Sequence, residues 1–304
     1  MKSNWIPTNE YYGRLLTEPD LAKREQLYLD LLVQPWQQMM NMMQRPGMDP
    51  KDPFAGAKVW GWLLPHQTDE IADLLQRMEA ANAWEIGRDA AARAAAQFDP
   101  YADRFNFDTF EGWLVLADPA FFANDPQPGY TGATDWFAPR YIGQFWEPDE
   151  RNLPHLAGLV AHEMHHLVRF RVFPFTPQTS VAEYIVLEGM AESFAAALFG
   201  DEVVGYYVTQ FDEAMLDAAK SLIAGGLQKT GFNVIRSYIF GDALAERSGF
   251  EPLGGMPAYG GYAIGYHVVQ AFLQRTGMSV EEATFVPADE IVAKSEFFAE
   301  LNPA

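Results

Sequence analysis

Four of the six histidines in this 304-residue chain, His155, His162, His165 and His166, fall within twelve positions. The stretch around them carries helix signals at both ends. Asn152 is a candidate N-cap, Pro154 is tolerated in a first turn and Phe173-Pro174 is a stop, so 152–173 is expected to be one helix with histidines at its middle. Such clustering within one helix demands an explanation.

Within that helix His162-Glu163-Met164-His165-His166 reads HExxH. At about 100° per residue, positions i and i+4 lie roughly 40° apart in azimuth and about 6 Å apart along the axis, so His162 and His166 can converge on one ion. Glu163 projects from the neighbouring strip, where it can reach a water at the ion without being a ligand, the placement a general base needs. His165, at i+3 from His162, is offset the other way and also satisfies the spacing of a chelating pair. We prefer His166 because Glu163 then flanks the pair on its open side. His165 is read as an outer or core imidazole, and His155, two turns earlier, as a helix-start residue.

Cysteine is absent, which leaves nitrogen and oxygen as ligands and excludes disulfides and thiolate sites. A catalytic zinc takes three protein ligands and keeps a position for water, so a third donor is required. Ser180-Val181-Ala182-Glu183 is a capping box, and a second helix is expected over 180–199 with Gly200 behind it. Glu188 and Glu192 share one of its faces, otherwise apolar or small with Ala195, Ala196 and Phe199. A metal at Glu188 and a ligand imidazole at Glu192 would satisfy carboxylates placed on such a stripe. Gly189 would let two helices approach closely.

HExxH followed, 22 residues after His166, by Glu-Gly-x-Ala-x-x-Phe is similar to the gluzincin metallopeptidases. More closely, AHEMHHLVRF, VLEGMAESFA and the later YGGYAIGYHVVQ resemble a bacterial family of predicted zinc-dependent proteases, long catalogued as a domain of unknown function. The resemblance covers about 112 to the C-terminus. It implies His162, His166 and Glu188 as ligands of Zn²⁺, Glu163 as base and Glu192 as an outer carboxylate, and it implies no particular substrate.

Further along, Tyr259-Gly260-Gly261-Tyr262 opens a helix expected over 262–276 that puts Tyr262 and Tyr266 on one face with His267 beside them. A tyrosine hydroxyl can support the oxyanion of amide hydrolysis, with Tyr266 our first choice and Tyr262 our second. Elsewhere, helices are expected over 21–43, interrupted at Pro35, and over 68–98. The segment 45–53 is a candidate hinge, and strands are expected over 112–117 and 140–146. The loop between the strands, 118–139, carries Phe121, Phe122, Tyr130, Trp136 and Phe137, enough aromatic surface to line a cleft or to pack the loop down. Met39, Met40, Met42 and Met43 read as core filler.

The chain is thus expected to be α+β and predominantly helical, with a helical region over 1–105 and a zincin-like catalytic domain over 106–304. Twenty-one basic against 41 acidic residues give a net charge of −20, a field that repels nucleic acid. No apolar leader core opens the chain and no run approaches the about 18 apolar residues of a membrane helix, so a cytoplasmic protein without membrane partners is expected. The function expected is zinc metallopeptidase, acting on peptide or protein substrates. The alternatives are a metal-stabilised peptide-binding or regulatory protein and a zinc hydrolase of a non-peptide amide.

Overall fold

The computed structural model describes residues 1–42, 49, 51–123, 129–247 and 249–301. Most of the 45–53 hinge, Met43 and positions 124–128 of the aromatic loop lie outside them. The chain is α+β and mostly helical with one small mixed sheet, and it divides into two compact units. One is Met1–Asp99 with Phe107–Met164, and the other Pro100–Asn106 with His165–Ala304. The divide falls inside an unbroken helix, Leu156–Val172, called here the histidine helix.

The first unit is organised on four strands in the order β1 (Lys2–Trp5), β2 (Thr109–Leu116), β4 (Arg140–Phe145), β3 (Tyr130–Thr134). β1 and β4 both run parallel to β2, while β3 is antiparallel to β4 with Gly132 opposite Gly143. β2 and β4 match the two expected strands closely and are almost wholly buried. β3 lies inside what reads as loop, and β1 inside an unassigned N-terminus. β1 is fixed by Trp5, whose indole fills the room left by Gly87 and Gly112, where any Cβ would overlap it.

The expected helix over 68–98 is two, Thr68–Ala80 and Ala83–Gln97. Asn82 breaks it by taking a left-handed conformation with φ of 55°, which Asn tolerates better than most side chains. Its own N–H closes on the Glu79 carbonyl at 2.9 Å. The stretch after Leu21 is helical through Met42, with a π turn at Leu29–Val33 leading into Pro35. Met39 and Met40 are buried and Met42 is exposed. In the aromatic loop Phe122 stacks on Trp146 at 3.8 Å and Tyr130 is buried against Phe145, so these two rings pack the loop down, whereas Phe121 and Phe137 are exposed.

The second unit is built around the glutamate helix, Val181–Phe199. Ser180 and Glu183 make both bonds of the capping box, and Gly200 ends the helix at φ 100°. The tyrosine helix, Gly260–Thr276, crosses it where Gly189 meets Gly265 backbone to backbone: a Cβ on either glycine would overlap carbonyl atoms of the other helix. Among the described residues no helix is long and apolar enough to cross a membrane.

Candidate metal centre

The histidine helix begins at Leu156, after a short 3-10 turn at Leu153–His155. Asn152 does not cap it with its side chain. Its amide donates instead to the Glu147 carbonyl at 2.8 Å. His155 stacks on Tyr130. His162, Glu163 and His166 are no more than 6% exposed.

In the second unit His166 Nε2 lies 3.4 Å from Glu188 Oε2. His162 stands one turn before His166 on the same helix. One donor atom from each of His162, His166 and Glu188 lies within 4.8 Å of the other two. Two imidazole nitrogens and a carboxylate oxygen are a donor set zinc takes readily, and ligand distances of about 2.0–2.2 Å in a tetrahedron put neighbouring donors about 3.3 Å apart. The 3.4 Å between His166 and Glu188 matches that spacing, and the His162 donor lies within 4.8 Å of both. These three form the group among the described residues that could hold a metal.

His165 points elsewhere. It is fully buried, with Nε2 3.1 Å from Thr284 Oγ1 and its ring against Phe194. Glu192 accepts the Gly205 N–H at 2.7 Å, which ties the glutamate helix to the turn Tyr206–Thr209. Tyr207 of that turn stacks on Tyr262 at 4.5 Å. Burial, then the Glu188 carboxylate, pushes the Tyr262 hydroxyl well above its ordinary value. Tyr266, half-buried, is raised by burial and by Asp201 and Glu192. His267 stacks on Phe297 and is lowered by burial, with Glu213 acting the other way.

Glu163 is held from β3. The Thr134 hydroxyl lies 2.8 Å from Glu163 Oε2 and 3.0 Å from its carbonyl oxygen. Oε1 sits against Gly132, whose missing Cβ is what makes room for the carboxylate. Burial and Glu163 together push the Tyr141 hydroxyl well above its ordinary range. Neither Gly132 nor Thr134 is singled out by the sequence, where the available signal was only the short β-prone run Tyr-Thr-Gly-Ala-Thr. Gly205 is a third such residue, since a Cβ there would overlap the Tyr207 ring and lie 2.9 Å from Glu192 Oε1.

The family described as "Predicted Zn-dependent protease (DUF2268)" matches residues 90–293, more than half of the chain. The chain belongs to this family. The match takes in the histidine, glutamate and tyrosine helices together with β2, β3 and β4. "Uncharacterized protein YjfC" of Bacillus subtilis (strain 168) is 32% identical over 298 residues, covering 96% of this chain and 97% of that one. No solved structure matches the chain.

Proposed function

We propose that this member of the family is a zinc metallopeptidase of the gluzincin type, in which His162, His166 and Glu188 would hold the ion and Glu163 is the general base. The observation that carries the reading is the joint placement of a three-donor group and, one residue from His162, a carboxylate held by separate contacts. Structural zinc sites are closed by four protein ligands. A three-donor group with an adjacent carboxylate favours catalysis over a purely structural metal.

Zinc bound there would act as a Lewis acid toward the scissile carbonyl and make water more acidic. Glu163 takes the proton the attacking water loses and passes it to the leaving nitrogen. Thr134 fixes the rotamer of that carboxylate by engaging Oε2, which leaves Oε1 on the Gly132 side. Tyr262 and Tyr266 are the candidates to support the oxyanion, and the electrostatic coupling of Tyr262 to Glu188 favours Tyr262. Glu192 acts at one remove by holding Gly205. The region 106–304 is read as the catalytic part.

A peptide substrate is favoured over a small amide by the position of β3. It has β4 on one side and, among the described residues, no strand on the other. An extended peptide can add to such an edge through main-chain hydrogen bonds, and Gly132 and Thr134 of this same strand contact Glu163. The test is metal analysis of the purified protein with cleavage of a peptide library, with and without chelator. About one equivalent of zinc and chelator-sensitive cleavage are expected. Glu163→Gln should keep the zinc and lose about 10²-fold or more of turnover, and equal activity in the two proteins would overturn the assignment.

A further inference from the structure

A cavity of about 460 Å³ in the second unit lies beside His166. Phe170 forms part of its wall and stacks on the His166 ring at 5.7 Å, and Phe173, Phe175 and Leu187 continue the apolar lining. The volume suits one large side chain with its backbone. Its most unusual lining residue is Arg169, which is 2% exposed.

The bonds Arg169 makes leave one edge of the guanidinium open. The Val286 carbonyl sits in the fork between Nη1 and Nη2, 3.2 Å from each, and the Thr284 carbonyl takes the other Nη1 hydrogen at 2.7 Å. Of five N–H donors, what remains is Nε–H and the second Nη2–H, the edge that grips a carboxylate through two parallel bonds. Among the described residues no carboxylate lies within ion-pair distance of this cation. A buried charge without a counter-ion is costly, and burial pulls this guanidinium down to about 9, with Glu183 acting the other way. An anion reaching that edge would remove the cost. Glu183 and Asp289, exposed at the rim of the cavity, disfavour ligands carrying further negative charge.

We propose that this cavity binds the C-terminal residue of a peptide, with its carboxylate on the open edge of Arg169 and a large apolar side chain against Phe170 and Phe175. The proposal deepens the peptidase reading and rests on it for the identity of the ligand. It predicts a preference for peptides with free, apolar C-termini.

The test is calorimetric titration of the full-length protein with N-acetyl-L-phenylalanine, its amide, and phenylacetate. The acetylated acid is expected to bind at least tenfold more tightly than either of the others. Arg169→Lys should weaken it at least tenfold. Because Arg169 also anchors two carbonyls, that variant could unfold; Phe175→Ala leaves those bonds alone and should weaken binding severalfold while keeping the preference for acid over amide. Equal binding of acid and amide, or a folded Arg169→Lys that binds as wild type does, would overturn the site. Phenylacetate binding as tightly as the acetylated amino acid would overturn the peptide terminus as its ligand. Binding is read without turnover. Acid preference in a protein that cleaves nothing would therefore sink the peptidase reading alone, and cleavage without acid preference would sink this inference alone.

Discussion

Gly132 and Glu163 are in contact through the absence of a side chain: a Cβ on Gly132 would overlap Oε1 and lie 2.7 Å from the Glu163 carboxyl carbon. Gly132 has no positive φ, so Gly132→Ala meets no backbone strain and its effect is to push the carboxylate. Displacing a reacting group by about 1 Å costs on the order of 10²-fold in rate. Gly132→Ala is expected to lose one to two orders of magnitude in kcat while zinc stoichiometry stays at the wild-type value. Loss of zinc together with activity would show that the residue acts on the metal group rather than on the base.

Gly189 and Gly265 meet at the crossing of the glutamate and tyrosine helices, and neither can be enlarged without moving a backbone. Gly→Ala inside a helix ordinarily gains about 0.5–1 kcal/mol. Overpacking against rigid atoms costs about 1–3 kcal/mol or more, so the clash decides the sign. Gly189→Ala should be destabilised in urea titrations and, because it adjoins Glu188, should bind zinc more weakly than Gly265→Ala. A stabilised Gly189→Ala would refute the close crossing.

What is legible in the sequence follows from how local the determinants are. The glutamate helix can be read end to end because Ser180, Glu183 and Gly200 are punctuation acting over one turn, and the His162/His166 spacing is a property of a single helix. The break at Asn82 is also local but weak, since one residue entering the left-handed region competes with strong helix formers on both sides. β3 has only a weak local signature. Its Tyr-Thr-Gly-Ala-Thr becomes a strand through pairing with β4, and the roles of Gly132 and Thr134 exist only because that pairing brings them to Glu163. β1, four residues without apolar alternation, depends in the same way on Trp5 finding two glycines that are distant in sequence.

Alkaline stability offers a test of the packing. Burial is the leading cause that raises Tyr12, Tyr28, Tyr141 and Tyr262 above their ordinary value. A raised folded-state pKa gives stability that is present in full below the unfolded value near 10 and is lost as pH rises toward the folded value. Arg169, pulled down to about 9, works in the opposite sense over that range and offsets one group. Three net protons at about 1.4 kcal/mol per pH unit each give a fall of about 4 kcal/mol per unit above pH 10. Unfolding free energy measured in urea from pH 8 to 11 should rise by about 1 kcal/mol between pH 9 and 10, where Arg169 alone differs between the two states, and then drop steeply. Ultraviolet titration of the native protein should show at least four of its 13 tyrosines failing to ionise with the rest, and all 13 ionising together would contradict the burial.

His165 and His166 are adjacent, both buried, and equally compatible with His162 by helical spacing, so separating them is the sharpest test of the centre. The Thr284 hydroxyl donates its one hydrogen to the Val280 carbonyl at 2.8 Å. Toward His165 Nε2, 3.1 Å away, it can therefore only accept, which assigns the proton of His165 to Nε2. A protonated Nε2 is not a metal ligand, and neither nitrogen of His165 belongs to the converging donor group, whereas His166 Nε2 lies beside Glu188 Oε2. His165→Gln retains a donor and should keep zinc near one equivalent. His165→Ala should also keep zinc while losing about 1–3 kcal/mol for the broken buried bond. His166→Gln should lose zinc on dialysis and, with it, any stabilisation that metal confers on the folded state. Metal analysis and thermal melts of the three variants separate the roles, and zinc lost from His165→Gln but retained by His166→Gln would exchange the two assignments.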